Sequence, residues 1–515
     1  MGVMDFVNWL DGLVWGPPIM ILLLGTGIFL TILLKGIQVT RLGWALRYTF
    51  GKEGRKRRGE GDISPFQALM ATLSGTVGIG NIAGVATAIY HGGPGALFWM
   101  WMTALFGMAT RGSEGLLGVA FRDKLPDGTM IGGTFNALEK GLAEVKIPAL
   151  ARYLAATFML IFAAFIGADA MKLGTGPAIG AWIIAILFLV LAYYLARGHA
   201  MASLGKILAI LFSTFAAIAA FGIGNMTQSN SLALGMKVAF HVPYWATGVG
   251  FAILTFLVTI GGIKRIGEFT GYFVPFMAIV YFIFAIGVWI KFAGQLPHAI
   301  GLIFEDAFTG KAVAGGAIGT VIRWGVARGL FSNEAGLGTA TMAHSAARTD
   351  NPARQGHVAM LGPLIDTLII CSLTGISIVA TGAWKTGKTS TALTQEAFAR
   401  AFGHLGEVMV IIGVIFFAYS TVITWNYYGR QNLMYLTKWI TRDPKKFAKV
   451  YHPLHVGYNI FWVIFIYIGA VGGLESVWNF SDMMNGLMAI PNLLALILLY
   501  PVIKKYMDKF IQENP

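Results

Sequence analysis

The sequence predicts an all-α integral membrane protein: a five-plus-five inverted-repeat core of partly discontinuous helices, with a further helix at the N-terminus and a further helix pair. Three observations predict it. Of 515 residues, 56% are hydrophobic and 12% charged, against roughly 25% charged in a soluble domain. The apolar runs are continuous and about 20 residues long, which suits membrane helices rather than the alternating strands of a barrel. Two of the runs are interrupted at mid-length by glycines and polar residues.

In chain order the spans fall at about 10–34, 63–90, 95–121, 153–171, 179–196, 206–231, 244–261, 269–291, 312–345, 355–383, 404–429, 451–471 and 477–503. The first is not a signal peptide, because residues 1–11 hold acids and no Lys or Arg where a positive segment is required. Residues 1–62 thus form an N-terminal helix and a basic loop. Residues 63–291 form the first repeat, with a further helix pair at about 150–200 that the resemblance described below implies is an insertion, and residues 312–515 form the second. The connections 35–62, 122–152 and 430–450 are too short for a core of their own.

The basic residues orient these spans. With the N-terminus outside, 28 of the 38 Lys and Arg fall in cytoplasmic segments and seven outside, while Arg111, Arg323 and Arg328 fall within spans. This is a strong positive-inside bias, and one span too many or too few would reverse every later loop. The expected location is the cell membrane, multi-pass, with the C-terminus cytoplasmic. The net charge of +14 therefore belongs to cytoplasmic loops and not to nucleic-acid binding. The lone Cys371 excludes an intrachain disulfide and any multi-cysteine metal site.

The first interruption reads S-G-T-V-G-I-G-N-I-A-G over residues 74–84. A phosphate loop is a poor reading, since no G-K-[ST] and no strand accompany it. Close helix packing through small residues suits Gly84 and Ala83 but not three clustered glycines among Ser74, Thr76 and Asn81. Backbone freed at membrane depth is tolerated only where it lines a cavity or is buried in protein. Half-helix N–H groups then attract an anion and half-helix carbonyls a cation. A second interruption reads G-V-A-R-G-L-F-S-N-E-A-G-L-G over 325–338. With the inserted pair set aside, each interruption opens a group of five helices. Groups of odd number run in opposite directions, the inverted-repeat plan of many secondary transporters.

At these residues the chain resembles the alanine or glycine:cation symporter family. The resemblance rests on 74–89, G-G-P-G-A-L-F-W-M-W (92–101), F-G-I-G-N-M-T-Q-S-N-S (221–231), G-G-I-K-R-I-G (261–267), 326–338, S-T-V-I-T-W-N-Y-Y-G (420–429) and L-M-A-I-P-N-L (487–493). It implies a leucine-transporter-type core and symport of a small neutral amino acid, alanine or glycine, with sodium as the coupling ion and no other cofactor. The chain departs from the family at G-G-T-F-N-A-L-E-K-G (132–141), which is followed by the inserted pair, and at Thr424, where the family often has glycine.

Individual residues carry two readings each. Ile79 and Gly80, with Gly78, offer backbone N–H groups to a carboxylate, and glycine permits the close approach. Thr76 and Asn81 contact substrate or cap freed backbone. The Ser74 and Val77 carbonyls suit a hard cation. Phe417, Ser420, Thr421 and Thr424 share a helix face by i, i+3, i+4, i+7 spacing. Hydroxyls in membrane helices often only back-bond, but the resemblance implies that Ser420 and Thr421 join Ser74 and Val77 around sodium, with Phe417 on the same face. Asn225 and Gln228 share a face, and either they glue helices or Gln228 meets the substrate. Phe331 and Trp425 wall the pocket or simply pack. Arg328 and Glu334 flank the second interruption and either pair structurally or gate. Arg323 reads as structural, Asp366 is left without a role, and His344 reads as a structural group rather than a relay.

These patterns weigh against other classes. The nine histidines form no H-x-x-x-H pair with an acid between, so an enzyme is not expected. No nucleotide domain supports a pump, and interrupted inverted repeats favour alternating access over a channel. The competing reading within the class is a proton-coupled or different-substrate transporter of the same fold.

Overall fold

A computed structural model describes residues 9–514, apart from 11, 56–58, 126–127, 174, 260–261, 309–316 and 442–443. The segment 1–8, on which the signal-peptide argument falls, lies outside the described residues, as does the start of the expected span 312–345. Among the described residues eight helices are long and apolar enough to cross a membrane, or nine if a bent pair counts as one span. The chain is a multi-pass membrane protein.

The helices used below are α1 (Pro17–Leu33), α2 (Pro65–Thr76), α3 (Ala83–Gly92), α4 (Ala96–Ala120), α5 (Thr134–Glu144), α6 (Ala149–Ala170), α7 (Thr175–Arg197), α8 (Met201–Phe221), α9 (Thr227–Phe240), α10 (Tyr244–Thr259) and α11 (Gly262–Lys291). Then follow α12 (Leu296–Phe308), α13 (Ala317–Asn333), α14 (Thr339–Ser345), α15 (Pro352–Ala380, with a π-helical stretch Leu364–Cys371), α16 (Ser390–Phe402), α17 (His404–Thr441), α18 (Pro444–Val471), α19 (Leu474–Leu498) and α20 (Tyr500–Glu513). A two-stranded ribbon pairs Asp123–Lys124 with Met130–Ile131.

Local chemistry sets the first break. Ser64 caps α2: its Oγ accepts from Gln67 N at 3.2 Å, Gln67 Oε1 accepts from Ser64 N at 3.0 Å, and Pro65 occupies the first turn. This reciprocal capping box with an N-terminal proline starts a helix firmly. Twelve residues later α2 stops, because Val77 and Gly78 leave helical geometry. A 3₁₀ turn at Ile79–Asn81 leads into α3, and the two halves are bent by 61°.

The second break lies at 334–338, at the end of the stretch read as interrupted. Helix α13 runs unbroken through Gly325 and Gly329 to Asn333. A Cβ on Gly325 would lie 2.5 Å from the Ala96 carbonyl oxygen, and one on Gly329 would lie 2.3 Å from Thr103 Oγ1. Those two glycines therefore serve close packing on α4. The break itself passes through left-handed backbone at Glu334 (φ 53°), Gly336 (φ 94°) and Gly338 (φ 83°). Two glycines take this conformation without strain, and Glu334 is held in it by the contacts given below.

Helices α6 and α7 pack chiefly on one another, with Phe162 and Phe188 stacked at 5.1 Å. They present exposed Leu160, Ile183, Ile186 and Leu187 outward, as a lipid-facing pair does. Helices α10 and α11 do the same through Ile253, Leu257, Ile279 and Ile283. The segments expected as loops contain helices α5, α16 and α20, which lie outside the apolar spans. The interior inverts the usual order: Ser74, Asn81, Gln228, Glu334, Asp366 and Thr421 are all buried at its centre.

Candidate functional site

The first break meets helix α17. Ser74 Oγ donates to the Ser420 carbonyl at 2.9 Å, Thr424 Oγ1 donates to Ser74 Oγ at 2.9 Å, and Thr421 Oγ1 donates to the Val77 carbonyl at 3.5 Å. Ser420 Oγ back-bonds to the Phe417 carbonyl at 3.0 Å. Thus the α2 end at Ser74 and Val77 and the face of α17 at Phe417, Ser420, Thr421 and Thr424 are brought together, every one of these residues buried. Approach is close enough that a Cβ on Gly78 would lie 2.6 Å from Thr421 Oγ1. Hydroxyl and carbonyl oxygens gathered, among the described residues, with no basic side chain bonded to them suit a hard cation.

The other side of the break meets α9 and α13. Ile79 N donates to Gln228 Oε1 at 3.1 Å, and Gln228 Nε2 donates to the Ile223 carbonyl at 2.8 Å. Gln228 therefore bridges the break to the π-helical stretch Gly222–Met226. A Cβ on Gly80 would lie 3.2 Å from both Phe331 Cδ1 and Ser332 Cα, which places α13 over the break. Asn81 both caps and links: its Oδ1 accepts from Gly78 N at 2.9 Å and its Nδ2 donates to Asp366 Oδ1 at 2.7 Å.

Two residues sit differently. Thr76 Oγ1 donates to the Leu73 carbonyl at 3.4 Å, a helix back-bond. Asn225 Nδ2 donates to the Trp462 carbonyl at 2.7 Å, the helix-gluing contact, so in this structure it holds α18 while Gln228 holds the break. Trp425 fits because Gly224 lacks a side chain, where a Cβ would lie 2.2 Å from Trp425 Cβ. Its Nε1 donates to Glu334 Oε1 at 2.9 Å.

The second break is held by a buried network. Arg111 Nη1 donates to the Glu334 carbonyl at 3.0 Å and to Thr339 Oγ1 at 2.8 Å, and Arg111 pairs with Glu334 at 3.6 Å and Glu114 at 3.5 Å. Glu114 Oε1 accepts from Gly336 N and Gly338 N at 3.0 Å each and from Asn492 Nδ2 at 2.7 Å. Freed N–H groups of the break thereby find an acceptor, as buried backbone must. Sequence reading missed Glu114 and Asn492, although an acid inside a span is itself a signal. Asn492 lies in the motif L-M-A-I-P-N-L.

Arg328 and Glu334 do not pair with each other. Arg328 forms a buried two-point ion pair with Asp482 of α19, one contact being Nη1 to Oδ1 at 3.3 Å. Its guanidinium lies 5.4 Å from the Phe331 ring centroid and 5.0 Å from that of Trp478. The two rings stack on each other at 5.0 Å, with Phe331 against Gly80 of the break. His344 stands between Thr72 Oγ1 at 3.2 Å and Gln355 Nε2 at 2.6 Å, buried, as a structural group.

At the start of α2, Arg122 clamps a set of backbone carbonyls. Arg122 Nη1 donates to Ser345 O (2.8 Å) and Ala347 O (2.7 Å), and Nη2 to Glu60 O (2.8 Å) and Thr349 O (3.1 Å). Asp62 N and Ile63 N both donate to the Ala346 carbonyl. The start of α2 is thus stitched to the end of α14. Beside the clamp, Lys124 Nζ lies 2.7 Å from Glu60 Oε1 and holds the Glu60 carboxyl below its ordinary range. Arg122→Gln removes most of these donors, each hydrogen bond to a charged group being worth about 1.5–3 kcal/mol. Maleimide labelling of a cysteine placed at Ile63, which is 2% exposed, should then be at least ~10-fold faster than with Arg122 in place. An unchanged rate would mean that the clamp does not hold the seam shut.

A polar centre built on a broken membrane helix suits a membrane transporter, and the family match and the names of the relatives point to a transporter, not an enzyme. The chain matches the sodium:alanine symporter family over residues 1–192 and 190–515, and it belongs to that family. It is 41% identical over 509 residues to the sodium/alanine symporter AgcS of Methanococcus maripaludis, covering 98% of this chain and 96% of that one. It is 36% identical over 519 residues to an uncharacterised transporter of Haemophilus influenzae, covering 100% and 97%. It is 32% identical over 506 residues to the probable sodium/glutamine symporter GlnT of Bacillus subtilis, covering 98% and 90%. The chain is a cation-coupled amino-acid transporter.

Proposed function

We propose that the chain carries a small neutral amino acid, alanine or glycine, into the cell together with sodium, through a core of two inverted five-helix repeats. The observation that carries this reading is the meeting of Ser74 and Val77 with Ser420 and Thr421. Sodium takes the two carbonyls and two hydroxyls, with the Phe417 carbonyl on the same face. No group among these five titrates, which favours sodium over a proton there.

The amino acid lies against the break. Its carboxylate accepts from the Gly80 N–H, and from Ile79 N–H once the Gln228 amide turns to the ligand. Gln228 then helps place the ammonium through its amide oxygen. Phe331, Trp425 and Thr424 bound the side chain. Both groups of five helices, within 63–291 and 312–515, open on a broken helix, and Gly80 of one break packs on Phe331 and Ser332 in the last turn of the helix that leads into the other, which supports the repeat plan. The Arg328 and Asp482 pair is the outer gate and the Arg122 clamp the inner one. The AgcS and GlnT names support an amino acid and sodium as cargo.

Competition against labelled alanine tests the pocket. Glycine, alanine and serine should compete, and leucine should not. Thr424→Gly removes a side chain packed on Gly75 and Ser74, and should improve valine as a competitor about tenfold, since a methylene or two in such a pocket is worth about 1–3 kcal/mol. Leucine competing as well as alanine in the unmodified chain would contradict the small pocket.

A further inference from the structure

Among the described residues no Lys or Arg forms an ion pair with Asp366, and the guanidinium that acts on it, Arg111, is paired elsewhere. Asp366 lies on the π-helical stretch of α15 and is fully buried. Its carboxylate accepts from Asn81 Nδ2 (2.7 Å), Ser332 Oγ (2.8 Å) and Thr367 Oγ1 (2.7 Å), all neutral donors. The charged and titratable groups acting on it are Arg111, Glu334 and the Cys371 thiol. Arg111 is already committed to Glu334 and Glu114. With all groups ionised, this centre sets three carboxylates against one guanidinium. An uncompensated charge at membrane depth costs several kcal/mol and needs a partner.

Sodium bound at the first break supplies part of that compensation. The link to Asp366 is short: Val77 precedes Gly78, whose N–H donates to Asn81, whose amide donates to Asp366. When sodium leaves, the deficit returns. The shell around Asp366 is built for both protonation states. Ser332 Oγ also lies 3.1 Å from Cys371 Sγ, with either atom able to donate. Ser332 can therefore turn its proton to the sulfur and accept one from a protonated Asp366. Thr367 Oγ1 likewise has a second partner, accepting from Asn333 Nδ2 at 3.3 Å.

We propose that Asp366 is a proton-carrying site that works in opposition to sodium. It takes one proton from cytoplasmic water after sodium and the amino acid leave, holds it while the empty site is closed, and releases it to outside water before sodium binds again. Each cycle then imports sodium and the amino acid and exports a proton, with no bond other than O–H made or broken. This inference rests on the sodium-coupled reading above.

The test uses the full chain in vesicles of low buffer capacity with a pH-sensitive dye in the lumen, membrane potential clamped by potassium and valinomycin. Labelled alanine uptake and lumenal pH are followed together under an inward sodium gradient. The lumen should alkalinise in step with uptake, and Asp366→Asn should abolish the alkalinisation while sodium-driven uptake or exchange persists. Asp366→Glu should retain it. Sodium-driven uptake with a steady or acidifying lumen overturns the proton site and leaves the sodium reading intact. Alkalinisation that survives Asp366→Asn also overturns it. Uptake indifferent to sodium overturns both. Should Asp366→Asn fail to fold, Ser332→Ala must move the pH at which alkalinisation is half lost, and an unmoved midpoint overturns the assignment.

Discussion

Replacing Ser420 and Thr421 together with alanine should raise the sodium concentration for half-maximal alanine uptake by about 100-fold or more. Each hydroxyl contributes an oxygen to a charged ligand, a contact worth about 1.5–3 kcal/mol, and a methyl group cannot replace it. Alanine binding at saturating sodium should change far less, because each hydroxyl lies on a carbonyl of the proposed sodium site. Thr421 lies against the Val77 carbonyl and Ser420 back-bonds to Phe417, so loss of the hydroxyls leaves no buried donor stranded. Sodium titration of uptake is the measurement. A half-saturation unchanged in the double variant would place the ion elsewhere.

Gly80→Val should abolish alanine binding while the chain still folds. A Cβ at Gly80 already sits 3.2 Å from Phe331 Cδ1 and from the Ser332 backbone. Valine's two further methyls must therefore enter the space from which the carboxylate approaches the freed N–H groups. Overpacking of this kind costs about 1–3 kcal/mol of stability, which thermal unfolding in detergent will report separately from binding. Gly80→Ala needs only a shift of a few tenths of an ångström and should weaken binding less. Normal alanine binding by Gly80→Val would make the stretch 74–84 a packing seam.

The legibility of the sequence followed the range of the interactions. Span existence and the first break depend on composition and on local glycine, serine and proline chemistry; the first break was readable, and among the described residues eight of the thirteen expected spans, nine with the bent pair, are helices long and apolar enough to cross a membrane. The second break was readable in kind but not in place. Gly325 and Gly329 read like the glycines of a break, yet they serve packing on Ala96 and Thr103, more than 200 residues earlier. Arg328 and Glu334 looked like partners because they are neighbours in the chain. Their real partners, Asp482 and Arg111, come from helices brought near only by the fold. Likewise Asn225 and Gln228 share a helix face, yet the π-helical stretch between α8 and α9 separates their contacts, one to α18 and one to the break. The Ser420 and Thr421 pair was legible through helical spacing, but its meeting with Ser74 and Val77 spans about 346 residues and came from the family resemblance alone.

The most direct test of the central claim is uptake of radiolabelled alanine into proteoliposomes with sodium, potassium or only a proton gradient outside. Accumulation above equilibrium with sodium, and none with potassium or a proton gradient alone, is the predicted result. Equal uptake in the three conditions, or accumulation driven by the proton gradient without sodium, would contradict it.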